Sequence, residues 1–164
     1  DTPAERWQQY NLFQCANQGS AVIERLYRGS VKIQKAIHIR RRKIGNFRSV
    51  YKGMVWCSMP RAAAEYADEY IRVYPKYLKD LYRCYLPEEI FFQTLFLNSA
   101  EWKDKIITDN LRYTDWSIRN GSIPAILDDS DTDRIISSGA YFARKIDPVI
   151  SEGLIEKLKC RQND

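Results

Sequence analysis

Two adjacent carboxylates, Glu88 and Glu89, stand at the head of an apolar run, Ile90-Phe91-Phe92-Gln93-Thr94-Leu95-Phe96-Leu97, that exits through Asn98-Ser99. Pro87 before them suits a first helical position, where its missing N–H has no intrahelical partner to lose. The stretch therefore reads as one short helix with both carboxylates in its first turn, where the helix dipole favours negative charge. Apolar side chains cover almost its whole circumference, which predicts packing on several sides. Glu89, Phe92, Gln93 and Phe96 share one face at i, i+3, i+4 and i+7. A carboxylate held beside a buried helix start can take a proton from a reacting hydroxyl. It can equally be a plain dipole partner, and the stretch by itself does not choose.

The other candidate groups carry blander readings. Asp128-Asp129-Ser130-Asp131-Thr132-Asp133 contains the DxD spacing that can hold Mg²⁺ or Mn²⁺ through oxygen ligands, but it lacks the glycine of a calcium-binding loop. The expected reading is an acidic loop with Asp131 capping the following helix, and no metal. Arg40-Arg41-Arg42-Lys43 is the densest charge run. It reads either as a phosphate or nucleic-acid patch or as a solvated basic face at a helix end. His38 is the only histidine, so a multi-histidine metal site is excluded, and it reads as a surface residue. Cys15, Cys57, Cys84 and Cys160 are widely spaced and form no CxxC pair or zinc pattern; free thiols in a reducing compartment are the expectation. No P-loop, GxSxG or GxGxxG is present.

The positioning elements follow from periodicity and punctuation. Thr2, Pro3 and Glu5 read as a helix start. Asn17 to Ser20 reads as a turn, with Ser20 capping a short helix from Ala21 to Tyr27 that Arg28-Gly29-Ser30 breaks. Val31 to Ile39 is ambiguous between strand and helix. Val50 to Met59 is β-like, with Gly53 at a bulge. Pro60 opens a helix over Arg61 to Arg72, and Val73-Tyr74-Pro75 ends it. Lys76 to Tyr85 is a further amphipathic turn or two. Asn110 to Trp116 and Tyr141 to Lys145 read as short strands, the second ending in the adjacent cations Arg144 and Lys145. Helices are expected over Thr132 to Ser138 and Pro148 to Lys159.

Length and composition bound the class. The chain has 164 residues, enough for one domain with a real core. A net charge of +5 favours an anionic partner, yet both signs are abundant, so nucleic acid is not demanded. Eleven Tyr and four Trp suit carbohydrate or base contact as well as packing. No apolar run approaches the roughly 20 residues of a membrane span. No signal peptide stands at the start, and the opening Asp1 suggests a processed or excised piece.

Four blocks carry a family resemblance. Lys52-Gly53-Met54-Val55-Trp56-Cys57-Ser58-Met59-Pro60-Arg61 with Glu65-Tyr66 resembles the GSxWxxLTRExVEY block of the core-2/I-branching β-1,6-N-acetylglucosaminyltransferases and related xylosyltransferases (glycosyltransferase family 14). Pro87 to Thr94 with Asn98-Ser99 resembles their PDExFFQTxxxNS block. Asn110 to Trp116 resembles NLRYxDW, and Phe142 to Asp147 resembles FARKFD. The blocks stand in the family's order. Met54 replaces the usual Ser, and Glu88 the usual Asp.

The resemblance implies an inverting, metal-independent glycosyltransferase of α/β class with a GT-A-type, Rossmann-like fold. It would transfer a sugar, N-acetylglucosamine being the expected one, from a UDP-sugar donor to a hydroxyl of a glycan acceptor. By the same resemblance Glu89 is the catalytic base, Lys145 and Arg144 bind the donor diphosphate, and Trp116 and Trp56 face the acceptor. A further family Arg near the diphosphate has no clear match between Ile123 and Asp129. No cofactor or metal is implied.

Family catalytic domains are longer than this chain, and their uridine-binding half precedes the first block. Residues 1–164 are therefore expected to form a single domain, the C-terminal half of a catalytic domain carrying its acceptor and diphosphate side, or a shortened relative inactive alone. Two other classes stay open: a noncatalytic carbohydrate-binding remnant, and a basic nucleic-acid-binding module using Arg40 to Lys43. Nucleic acid is not among the expected partners. The expected location is cytoplasmic, peripheral to a membrane as in a bacterial-type enzyme, with the Golgi lumen as the alternative. Oligomeric state is left open.

Overall fold

The computed structural model describes residues 4–13 and 20–161. The expected cap at Thr2, Pro3 at a first helical position, the turn residues 17–19 and Cys15 lie outside them. The chain groups into two compact units, Asp1–Ile107 and Thr108–Asp164. The first is helical and the second mixes helix and strand, so the chain as a whole is of mixed α and β content, compatible with the α/β expectation.

In the first unit, α1 spans Ala21–Ala36, α2 Arg61–Val73, α3 Lys76–Leu81 and α4 Phe91–Leu97. Short 3₁₀ turns cover Ala4–Arg6, Pro87–Glu89 and Lys103–Lys105. The core gathers Trp7, Ile44, Val50, Ala63, Ala67, Tyr77, Leu81, Cys84, Ile90, Leu95 and Phe96. Small alanines on α2 let that helix approach closely, and a chain of aromatic contacts through Phe47, Tyr66, Tyr70, Tyr77, Phe91, Phe92 and Phe96 fills the rest. Tyr77 donates its hydroxyl hydrogen bond to the Phe91 carbonyl at 2.6 Å. Burial pushes its phenol far above the usual tyrosine range.

Several expectations are corrected here. α1 does not break at Gly29 but runs on through Ala36, which also resolves the ambiguous stretch after Val31 as helix. Glycine costs a helix interior about 1 kcal/mol, and tertiary contact outweighs it. The Gln34 side chain accepts from the Tyr10 amide at 2.7 Å and donates to the Tyr10 carbonyl at 2.9 Å, and Val31 is buried beside it. Ser20 stands at the N-cap position without a side-chain capping bond. The basic run is not wholly solvated. Arg41 is buried, donates to the Asp80 carbonyl at 2.7 Å and lies over the Tyr10 ring at 5.1 Å, while Arg40, Arg42 and Lys43 are exposed.

The β-like stretch from Val50 to Met59 forms no strand. Its backbone is satisfied instead by side chains of α4. The Thr94 hydroxyl donates to the Tyr51 carbonyl at 3.1 Å and accepts from the Tyr51 amide at 3.0 Å. Gln93 donates to the Met54 carbonyl at 2.7 Å, and Asn98 to the Ser49 carbonyl at 2.9 Å. Gly53 is a point of close approach and not a bulge: a Cβ there would lie 2.7 Å from Gln93 Cγ.

In the second unit, β1 (Arg112–Thr114) and β2 (Phe142–Arg144) pair in parallel, with Arg112 opposite Phe142 and Thr114 opposite Arg144. α5 (Thr132–Ser137) and α6 (Glu152–Arg161) pack around Leu127, Ile135 and Leu154. Asp131 stands at the N-cap position of α5, as expected, but makes no side-chain capping bond there; the side-chain cap belongs to Asp128, at the head of the preceding 3₁₀ turn Asp129–Asp131. The Asp128 side chain accepts from the Ser130 amide at 3.0 Å, and Asp131 reaches back to accept from the Asp128 amide at 3.0 Å. Cys57, Cys84 and Cys160 are free thiols. Among the described residues no helix is long and apolar enough to cross a membrane.

Two glycines give opposite expectations. Gly53→Ala should lose about 1–3 kcal/mol of stability, because Gln93 must move and surrender its bond to Met54. Gly29→Ala meets nothing within 4 Å and should gain about 0.5–1 kcal/mol from helix propensity. Urea unfolding of both variants checks the contrast. Equal effects would contradict it.

Candidate active site

Glu89 sits where the 49–54 segment crosses the start of α4. Its carbonyl accepts from the Gly53 amide at 2.9 Å, so that crossing segment takes the acceptor a continuous helix would use for itself. The helix consequently does not start at Pro87. A 3₁₀ turn holds Pro87–Glu89, entered through Leu86 at φ +52°, and the first α4 bond runs from the Thr94 amide to the Ile90 carbonyl at 2.9 Å. The two carboxylates thus stand outside α4, and dipole complement is not what holds Glu89.

Its partners are cations. Glu89 Oε2 accepts a hydrogen bond from Arg6, and Lys52 Nζ lies 3.4 Å from the same oxygen. Oε1 takes no hydrogen bond or ion pair among the described residues. The Glu89 side chain keeps 25 % of its exposure, so a small hydroxyl can reach it. Glu88 is exposed. Arg6 is pinned from the same strand of chain, because its carbonyl accepts from the Tyr85 amide at 2.8 Å. The buried helix expected behind the carboxylate is present: Ile90, Thr94, Leu95 and Phe96 are buried, and Phe92 stacks on Phe96 with centroids 5.8 Å apart. Trp56, on the segment beyond the crossing, is 53 % exposed.

The second unit carries the other expected residues. Lys145 follows β2 directly, and Asp115-Trp116 follows β1, so the carboxyl ends of the two parallel strands bring them together. This is the edge of an α/β sheet at which ligands commonly bind. Residue Ala125 bridges the pair: its amide donates to the Asp115 carbonyl at 2.8 Å, and its carbonyl accepts from the Lys145 amide at 3.2 Å. The Lys145 ammonium donates to Ser122 Oγ at 2.9 Å. Arg144 is half-buried at the end of β2, and Trp116 is 58 % exposed.

The acidic run is engaged internally. Arg119 forms ion pairs with Asp131, with Asp128 at 3.2 Å and with Asp115 at 3.6 Å. Lys157 lies 3.1 Å from Asp129. Among the described residues no group of three or more His, Cys, Asp or Glu side chains is arranged to hold a metal ion.

Sequence reasoning missed Arg6, Lys52, Ser122 and Arg119. Lys52 lies inside the first family block and was given no role. Arg6 carries no local signal, because its partner is 83 residues away.

The first unit thus holds a partly exposed carboxylate backed by cations, and the second a lysine at the carboxyl edge of parallel strands. The family model for the Core-2/I-branching enzymes matches residues 8–137, and the chain belongs to that family. The match covers Trp56, Glu89 and Trp116 and stops before Arg144 and Lys145. It makes the chain glycosyltransferase-related, a class that takes a nucleotide-sugar donor and a glycan acceptor. No curated protein and no solved structure matches the chain.

The loops at this edge have a pH signature. The Ser130 hydroxyl beside Asp128, the Ser117 amide beside Asp115 and the Ile150 amide beside Asp147 hold these carboxyls below the usual carboxylate range. Their stabilising contribution is therefore present above the unfolded value near 3.9 and is lost as pH falls through the lower folded values. Amide exchange within residues 108–161 should accelerate as pH falls below about 4, after correction for intrinsic rates. Protection that stays constant down to full protonation would refute this.

Proposed function

We propose that the chain is the C-terminal half of a GT-A-type catalytic domain that transfers a sugar, N-acetylglucosamine being the favoured one, from a UDP-sugar to a glycan hydroxyl with inversion. The observation that carries this is Glu89. It is a partly exposed carboxylate with one oxygen engaged by Arg6 and Lys52 and the other unengaged among the described residues, in the block that the family model covers.

In the proposed step Glu89 accepts the acceptor's hydroxyl proton as the oxygen bonds to the anomeric carbon. The bond from that carbon to the diphosphate oxygen breaks on the opposite face, and UDP leaves with the electron pair. Arg6 and Lys52 orient the carboxylate. Lys145 and Arg144 bind the donor diphosphate, and fixed cations of this kind can offset its growing charge without a metal. Trp116 and Trp56 offer exposed rings for acceptor sugar faces, as resemblance to the family suggests. The engagement of Asp128, Asp129 and Asp131 by Arg119 and Lys157 supports a metal-independent reading. The free thiols of Cys57, Cys84 and Cys160 favour a cytoplasmic location.

Glu89→Gln tests the assignment. In the enzyme containing this chain, assayed with UDP-N-acetylglucosamine and a panel of free glycans, the variant should lose turnover by about 10²-fold or more. UDP affinity by calorimetry should stay nearly unchanged. Glu88→Gln should cost far less. Near-normal turnover of a folded, UDP-binding Glu89→Gln enzyme would remove Glu89 from the role of base.

A further inference from the structure

The long helix α1 presents two different faces. Val31 and Gln34 are buried, and Ile23 and Tyr27 are partly buried on the same side, with Tyr27 stacked on Tyr85 at 5.0 Å. A second, exposed apolar stripe lies beside the core-facing side, its middle about 100° around the helix from it. Val22, Leu26, Ile33 and Ile37 are 68, 50, 63 and 60 % exposed. They recur at i, i+4, i+11 and i+15, which places them within about 60° of one another around the helix. Gly29 falls in the same stripe and meets nothing within 4 Å.

Cations form a third side of the helix. At 100° per residue Arg25, Arg28, Lys32 and Lys35 fall within about 80° of one another, roughly 130° from the middle of the stripe, and exposed Arg40, Arg42 and Lys43 follow the helix end. Against these seven cations the stretch 20–43 holds one carboxylate, Glu24, which pairs with Arg28 at 2.5 Å. A helix with an unpartnered apolar stripe, a strongly basic flank and low overall hydrophobicity is suited to lie in a bilayer interface. Long basic side chains reach the headgroups while their stems cover apolar surface.

We propose that α1 and the following basic run dock this protein onto an anionic lipid bilayer, with Val22, Leu26, Ile33 and Ile37 entering the acyl boundary and Arg25, Lys32, Arg40, Arg42 and Lys43 engaging headgroup charge. Charge complementarity selects this occupant. A nucleic acid would satisfy the cations but has no use for the apolar stripe. The inference rests on α1 alone and does not depend on the proposed transfer reaction.

Sedimentation of the full chain with vesicles tests it. The protein should pellet with phosphatidylcholine vesicles containing phosphatidylserine, remain in solution with phosphatidylcholine alone, and be released by salt. Replacing Arg40, Arg42 and Lys43 together by Ala should weaken partitioning on the order of 100-fold, at about fivefold per cation. Leu26→Asp with Ile33→Asp should abolish it, with circular dichroism confirming the fold; Leu26→Ala with Ile33→Ala, which removes bulk without adding charge, should weaken it. Failure to pellet with the anionic vesicles overturns the proposal. So does binding indifferent to both stripe variants, or a dimer that those variants dissolve while vesicle binding is absent.

Discussion

The first unit depends on a crossing of two chain segments that share no ladder. The 49–54 segment runs over α4, and its backbone polar groups find partners in Thr94, Gln93, Asn98 and the Glu89 carbonyl. Leaving such groups unpaired in a partly buried place would cost about 1–3 kcal/mol each. The crossing requires a residue without Cβ at position 53, because any side chain there would meet Gln93. The same contact ends the 3₁₀ turn at Glu89, delays α4 to Phe91 and brings Lys52 beside the carboxylate. One close approach therefore sets the backbone, the helix start and the electrostatics of the candidate base.

The second unit is organised around charge. Arg119 is surrounded by Asp115, Asp128 and Asp131, and Asp131 is fully buried. A buried carboxylate of this kind is tolerated because it is paired and hydrogen-bonded, and loss of its partner would be costly. The cluster ties the loop after β1 to the turn before α5. Lys145 and Trp116 stand at the strand ends that this loop connects. Carboxylates that looked like a metal motif serve here as the loop's own counter-charges.

Local signals were read well where one residue suffices to set local geometry. Pro60 opens α2, Tyr74 and Pro75 end it, and Asn98 closes α4, as punctuation predicts. They misled where distant partners intervene. Gly29 does not break α1, because Gln34 and Val31 anchor the helix beyond it. The aromatic and β-branched stretch 50–59 has strand composition but borders α4 instead of another strand, so its propensity finds no ladder. Arg41 looked like one of four equivalent cations until Tyr10, Asp80 and Cys84 enclosed it.

The sequence by itself determined the family, since the blocks from Lys52 to Trp116 are contiguous strings whose residue types and order are legible without coordinates. The choice of Glu89 over Glu88 came from the resemblance of the Pro87–Thr94 block, and the helix expected around both carboxylates begins only at Phe91. Tertiary structure alone decided that Arg6 and Lys52 share one oxygen of Glu89, that Ser122 receives the Lys145 ammonium and that Asp131 belongs to Arg119. These pairings join residues from 12 to 83 positions apart. A pairing at such separation leaves no periodicity or punctuation in the chain; it exists only once the backbone between the partners has folded.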